Sequence, residues 1–476
     1  MTADSMAELI RRRDDVVGAD LVELRLDGIR DLDVAGALAG RPTGVVVTCR
    51  PTRQGGRYGG DEQAREAILE QAWDLGAEFV DVEDGAAEEL VRRTHGQRIV
   101  RSHHDFAGLP SDAAERLRSL LSSGAQVAKL AVVTRRLSDV ATLAALAQGA
   151  GGRAVVIGMG PCGAASRILA ARLGSPWTYA GDGVAPGQLS LARMRDEFHV
   201  GAITPTTAVY GLVGNPIEHS LSPAMHNAAF RAAGLDAVYV PLPAADFADF
   251  ETFAAAFDVR GVSVTAPYKL DAFRISCGAD EGTGLGAVNT LRRSDAGWDG
   301  RNTDIEGFLA PLTGRALSTA RVAVLGAGGA ARGVAAGLTG VGAAVTLHAR
   351  REGSARATAE ACGVAAGPWP PADDWDILVN ATPVGTSPRD AETPIELIGS
   401  LAGRLVYDLV YNPPETALLR RARALGADVL GGLPMLVAQA AAQFHWWTGH
   451  RPSSALMHDA ALARLRATAG LSCGSL

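Results

Sequence analysis

The chain reads as α/β throughout, with a parallel β/α series in its first half and, in its second, a mixed β and α unit leading into a parallel sheet around a glycine-rich turn. Three observations carry that reading. From residue 20 to about 200, short β-branched runs alternate with helical stretches, the pattern of parallel strands joined by helical crossovers. Polar residues gather at the ends of several of these strands, namely Glu23, Arg25, Arg50, His104, Lys129 and Arg167, as on the rim of a (β/α)8 barrel. Further on, RVAVLGAGGAARGVAAGL sets a strand, a tight turn and a helix in immediate succession.

The chain opens on a helix, expected over about Ser5 to Val17. The strand runs DLVELRL, GVVVTC, EFVDV, RIVRS, AQVAKLAVV, RAVVIGM and WTYAG follow. Seven strands are expected where a closed barrel needs eight, so the strand before the first helix is missing. AITPTT, residues 202–207, reads as a linker, and AVYGLV starts a second domain that stays mixed to about residue 310. In the glycine turn, Gly326, Gly328 and Gly329 let backbone approach a pyrophosphate, which the helix N-terminus stabilises. At the end of the next strand, VTLHARRE offers Arg350 and Arg351 where an acid would hold an adenosine ribose, which favours NADP(H) over NAD(H). DDWDILVNATPVG and GRLVYDLVYNP continue the sheet, and helices from Met435 close the chain. The expected domains are 1–203, 208–310, 311–430 and 431–476.

The composition narrows the function classes. The chain has 476 residues, 47% of them apolar and 20% charged, with no apolar run approaching a membrane span. A net charge of −7 and the lack of a basic stripe beyond Arg11 to Arg13 argue against nucleic acid as a partner. The five cysteines show no CxxC spacing, and the N-terminus lacks the marks of a signal or transit peptide, so a reducing cytoplasm is expected. No metal-ligand cluster is read in the sequence. Lys129 and Lys269 are the two lysines, against 43 arginines. Because arginine replaces lysine on any solvated surface, the two survivors point to chemistry that needs an amine able to lose its proton.

The motifs GNPIEHSLSPAMHN, GVSVTAPYK, GAVNTL, GRNTD, GAGGAAR, NATPVG, VYNP and GLPMLVAQA, spread over residues 208–470, closely resemble those of shikimate dehydrogenase. That resemblance implies a Rossmann NADP domain beside an α/β substrate domain. It implies Ser220 and Ser222, with Tyr411, at the substrate carboxylate, and Thr265, Asn289, Asp304 and Gln439 at its ring hydroxyls. It also places Gly326, Ala327, Gly328, Gly329, Ala330, Asn380 and Thr382, with Arg350 and Arg351, at the cofactor. Lys269 and Asp304 form the implied dyad: hydride reaching or leaving a carbinol carbon requires a proton to reach or leave its oxygen. Ser263 stands where many single-domain members have asparagine and fused plant-like members have serine.

The first half, with ADLVELRLD, TCRPTRQGG, RSHHDF, VAKLAV, GMGPCGAASR and APGQ, resembles type I 3-dehydroquinate dehydratase, and the order of the halves is that of the plant-like fusion. Lys129 is then the Schiff-base lysine, since an iminium acidifies the adjacent C–H and makes loss of a β-hydroxyl feasible. His104 moves the proton. His103, its neighbour in a strand, points to the opposite side. The resemblance makes Arg167 the carboxylate clamp, Glu23, Arg25 and Arg50 the hydroxyl-binding set, and Gln188 a lid contact. Two residues depart from the pattern: Gln54 replaces the glutamate of the EGG motif, and Val184 the serine of SAPGQ. The leading expectation is a bifunctional enzyme acting on 3-dehydroquinate, 3-dehydroshikimate and shikimate. A dehydrogenase with a structural barrel and a ligand sensor are the alternatives.

Overall fold

The computed structural model describes residues 1–181, 187–277 and 286–473; Val184 lies outside them. By its contacts the chain forms two compact units, one of Met1–Glu218 with Asp236–Val259, the other of His219–Leu235 with Arg260–Leu476.

In the first unit, β1 (Leu21–Arg25), β2 (Gly44–Thr48), β3 (Phe79–Glu83), β4 (Ile99–Asp105), β5 (Val127–Val133) and β6 (Ala154–Met159) form one parallel sheet in sequence order. The helices α1 (Met6–Asp14), α2 (Val34–Leu38), α3 (Glu62–Asp74), α4 (Glu88–Arg93), α5 (Ala113–Ser122), α6 (Leu137–Gln148) and α7 (Ala164–Ile168) lie between and after them. Ser5 caps α1 by accepting from the Glu8 amide, which starts the helix where the sequence expects, although it stops at Asp14, short of Val17.

Side-chain alternation divides the sheet into two faces. Val22, Leu24, Val45, Val47, Val80 and Val82 face the helices and pack with Leu9, Leu38, Leu69 and Leu90. On the other face the register sets Thr48 beside Asp81, Glu83 beside Ser102 and Ser102 beside Lys129. Val100, Val127, Val155 and Ile157 close that face below them.

Among the described residues, six strands of this series form rather than the expected seven. WTYAG joins no ladder: Pro176 has no amide hydrogen to give, and Trp177 and Tyr179 pack instead against the Val100 and Val127 cluster. The Trp177 ring meets Phe79 with centroids 5.1 Å apart. Beside β1, Met1 supplies two backbone bonds, its amine to the Glu23 carbonyl at 2.6 Å and its carbonyl from the Arg25 amide at 3.0 Å.

The same unit holds the parallel pair β7 (Ala208–Val213) and β8 (Ala237–Leu242), and α9 (Phe247–Phe257). The segment read as a linker is tied down, because Arg172 donates to the carbonyls of Thr207 and Phe257. Buried Asp249 accepts from the Leu137 and Ser138 amides and so caps α6.

The second unit contains α8 (Ser222–Ala232), β9 (Val259–Val264), α10 (Lys269–Ile275), β10 (Ser276–Cys277), β11 (Thr290–Ser294), β12 (Gly297–Arg301) and α11 (Asp304–Leu309). β11 runs antiparallel to β9 and β12. Next come β13 (Arg321–Leu325), α12 (Gly329–Gly340), β14 (Ala344–His348), α13 (Glu352–Cys362), β15 (Ala365–Ala366), β16 (Ile377–Asn380), β17 (Leu405–Asp408), α14 (Ala417–Ala424) and β18 (Asp428–Leu430). These strands form a parallel sheet of order β15-β14-β13-β16-β17-β18, with its topological switch between β13 and β16. α15 (Leu433–Thr448) and α16 (Ser454–Cys473) follow. Gly307 of α11 lets α15 approach, since a Cβ there would lie 2.6 Å from that of Gln439.

Candidate active sites

The polar face of the first sheet opens into a cavity of about 110 Å3 whose walls include Glu23, Arg25, Arg50, Gln54, His104, Lys129, Arg167 and Gln188. Glu23 and Lys129 within β1 and β5, Arg25 and His104 toward the ends of β1 and β4, Arg50, Gln54 and Gln188 in connecting segments, and Arg167 on α7 rather than at a strand end thus bring every described barrel residue of the expected set to one place. Lys129, 3% exposed on β5, donates to Asp81 Oδ2 at 3.0 Å, lies 3.8 Å from Glu23 Oε1 and stands 4.2 Å over the Tyr179 ring. Burial alone would weaken its hold on a proton. Asp81 and Glu23 outweigh it, so the ammonium is held above the usual lysine range. Burial opposes the charge on Asp81 and Glu23 too, but Lys129 and Arg50 hold both carboxyls well below the usual carboxylate range.

His104 lies in the same wall. Its Nδ1 is 2.7 Å from Arg50 Nη1 and 3.3 Å from Gln54 Oε1, and Gln54 Oε1 also accepts from its amide. Burial, then the charges of Arg50 and Lys129, push its pKa well down. His103 points the other way, to Arg116. The two glycines after Gln54 are required sterically: Gly55 has φ +74°, and a Cβ on Gly56 would lie 1.9 Å from the Arg50 carbonyl oxygen.

Arg167, 2% exposed, meets no carboxylate among the described residues; its Nη1 donates to the Tyr179 carbonyl at 3.4 Å and its Nε has no partner. Burial lowers its pKa to about 10. A buried guanidinium of this kind is completed by an anion. Arg25 is already engaged bidentately by Asp27, at 2.7 and 2.8 Å. The sequence reading missed Asp81, Glu83 and Tyr179. The acids were detectable as alternate positions of VDVED within a strand otherwise made of apolar residues.

In the second unit, Lys269 opens α10 and Asp304 opens α11, with Nζ 2.5 Å from Oδ2. Asn289 donates to Asp304 Oδ1 at 2.8 Å and accepts from the Thr303 amide. Behind them Gln443, also missed from sequence, donates to Thr290 Oγ1 and accepts from Ser263 Oγ at 2.7 Å. Ser263 therefore turns its hydroxyl to α15. Ser220 Oγ accepts from the Ser222 amide. Thr265, Tyr411 and Gln439 make no side-chain hydrogen bond to the dyad among the described residues; Gln439 donates to the Leu436 carbonyl, and burial raises the Tyr411 pKa.

At the switch of the parallel sheet, Gly326 has φ +124°, Ala327 is half-buried, and Gly328, Gly329 and Ala330 lie exposed at the start of α12. Arg350 and Arg351, exposed after β14, form no ion pair among the described residues. Asn380 is spent internally: it donates to Asp408 and accepts from the amide and hydroxyl of Thr382, fixing the turn after β16. The exposed helix start and two free guanidiniums fit a phosphorylated dinucleotide.

Family models match type I 3-dehydroquinase over residues 1–204, the shikimate dehydrogenase substrate binding domain over 212–291 and the shikimate 5'-dehydrogenase C-terminal domain over 432–462. A bifunctional 3-dehydroquinate dehydratase/shikimate dehydrogenase, chloroplastic, of Arabidopsis thaliana is 33% identical across 91% of this chain and 78% of its own length. The chain belongs to the bifunctional 3-dehydroquinate dehydratase/shikimate dehydrogenase family. Within the dehydrogenase half, a shikimate dehydrogenase (NADP(+)) of an Anaeromyxobacter species is 41% identical over 56% of this chain and 100% of its own. A solved shikimate dehydrogenase in complex with NADP+ is similar at 34% identity and TM-score 0.52, over 55% of this chain and 97% of that one. In the dehydratase half, Gln54 meets His104 through an uncharged amide oxygen.

Proposed function

We infer that this bifunctional enzyme removes water from 3-dehydroquinate in the first unit and reduces the resulting 3-dehydroshikimate to shikimate in the second. The observation that carries this reading is the placement of the two lysines: each faces a carboxylate, one inside the barrel cavity and the other at the head of a helix beside Asn289. In the dehydratase, Arg167 takes the substrate carboxylate and Lys129 the ketone. The imine nitrogen draws electrons from the adjacent C–H bond, and His104 moves the proton toward the departing hydroxyl.

NADPH supplies hydride when bound. Its pyrophosphate is held at Gly326 to Ala330, and Arg350 and Arg351 hold the 2′-phosphate. In the dehydrogenase, Lys269 delivers a proton to the carbonyl oxygen while Asp304, oriented by Asn289, keeps the ammonium in place. Ser220 and Ser222 face the carboxylate, with Thr265, Tyr411 and Gln439 completing the pocket. Residues 208–310 and 431–476 form the substrate domain in this reading, and 311–430 the cofactor domain. Among the described residues no helix is long and apolar enough to cross a membrane.

A coupled assay tests the reading. 3-Dehydroquinate with NADPH should give shikimate; oxidation of NADPH with 3-dehydroshikimate but not with 3-dehydroquinate would leave the dehydrogenase alone.

A further inference from the structure

The Lys129 nitrogen sits in a cage suited to positive charge. Asp81 Oδ2 is 3.0 Å from it, and the Tyr179 ring lies beneath at 4.2 Å. Asp81 is completely buried, and besides Lys129 it accepts from Arg50 Nη2 at 3.1 Å and Ser102 Oγ at 2.5 Å. Glu23 is farther from Nζ, at 3.8 Å, and accepts from Thr48. A carboxylate served by three donors is stabilised as the anion, so it neither gives nor takes a proton readily.

We propose that Asp81 is the counter-ion of the iminium formed at Lys129, with the Tyr179 ring as the second wall of that cage. The proposal rests on the imine reading above. The balance is simple. Of the three hydrogens on the ε-ammonium, one stays on the iminium and two leave in the water made from the substrate's carbonyl oxygen. The nitrogen lone pair becomes the second C–N bond, so a single positive charge stands before Asp81 at the start and at the end. The carboxylate has two opposed effects. It holds the free amine charged, which slows attack on the ketone, and it keeps the imine protonated, which makes it the better electron sink. The other charged or titratable groups facing the pair are Glu23, Arg50, Glu83, His104, Tyr179 and the α-amino group of Met1.

Labelling the full chain with 15Nζ-lysine gives two signals, from Lys129 and Lys269, and Lys129→Arg assigns them. The Lys129 ammonium should stay charged beyond pH 10.4, the ordinary lysine midpoint. Asp81→Asn should bring its midpoint down by about one to three pH units. It should speed borohydride-trappable imine formation with 3-dehydroquinate near neutrality, yet lower dehydratase turnover ~100-fold. Asp81→Glu should restore part of both. Reduction of 3-dehydroshikimate by the same chain should not change. An Asp81→Asn protein with unchanged lysine titration and turnover would overturn the proposal. If that variant does not fold, a Lys129 midpoint at or below the ordinary value in the unmodified chain would do so. Absence of any trapped adduct on Lys129 in an active unmodified enzyme would instead sink the imine reading itself.

Discussion

Arg50 Nη1 lies 2.7 Å from Nδ1 of His104, closer than Gln54 Oε1 at 3.3 Å, and a guanidinium can only donate. The lone pair of Nδ1 is therefore used, and the neutral ring carries its hydrogen on Nε2. A ring in that tautomer can give a proton from Nε2, but it takes the substrate proton there only once Arg50 releases Nδ1 and the ring hydrogen moves to it. Gln54→Glu would place a carboxylate at the position now held by the amide oxygen, accept from Nδ1–H and leave Nε2 free as a base. Its charge would also raise the His104 pKa. Dehydratase kcat/KM of the Gln54→Glu protein is expected to rise about 100-fold near neutrality, with the acid limb of its pH profile moved upward. An unchanged profile would mean that Arg50 keeps Nδ1 even against a carboxylate.

The two lysines should be separable. Lys129→Arg abolishes dehydratase turnover, because a guanidinium forms no imine, and leaves 3-dehydroshikimate reduction intact. Lys269→Arg and Asp304→Asn each lower dehydrogenase kcat ~100-fold with a smaller change in KM, since proton delivery is lost while most binding remains. Steady-state kinetics of both half-reactions on each variant checks this. Loss of both activities from either lysine change would refute the independence of the sites.

Cofactor choice should follow the arginines after β14. Replacing Arg350 and Arg351 with alanine removes charge-assisted bonds to a 2′-phosphate, and the ratio of kcat/KM for NADPH over NADH should drop ~100-fold. The loss should lie in KM for NADPH, with the NADH value little altered. Equal use of the two cofactors by the unmodified enzyme would remove the role assigned to these residues.

Acid should weaken the first unit. Glu23 has its folded pKa lowered to about 2 and Asp81 is lowered as well, so each contributes stability that is complete above the unfolded carboxylate values and is lost as pH falls through the folded ones. Glu83, raised by burial and by Asp81, acts in the opposite sense but alone. The expected result is a falling denaturation midpoint for this unit from about pH 5 to pH 2, followed by tryptophan fluorescence of Trp177 against Phe79. A flat midpoint across that window would show that the buried carboxylates keep the same protonation on unfolding.

The sequence by itself determined the β/α series, the glycine turn with its following arginines, and the identity of both lysines, because each rests on local pattern or on side-chain chemistry that no packing alters. Strand alternation already separated His103 from His104. The tertiary structure decided what meets what. Asp81 and Glu83 are two unremarked acids within a strand until the register of β3 against β2 and β4 turns them onto the face of Lys129. WTYAG has strand-forming residues, yet Pro176 and the burial of Trp177 and Tyr179 remove it from the ladder. Arg25 reads as a substrate contact in sequence and is found clasped by Asp27, while Arg167, equally basic in sequence, is buried without an acidic partner among the described residues. Propensity and composition act over a few neighbours. Pairing of charges depends on distances between strands that only the folded sheet sets.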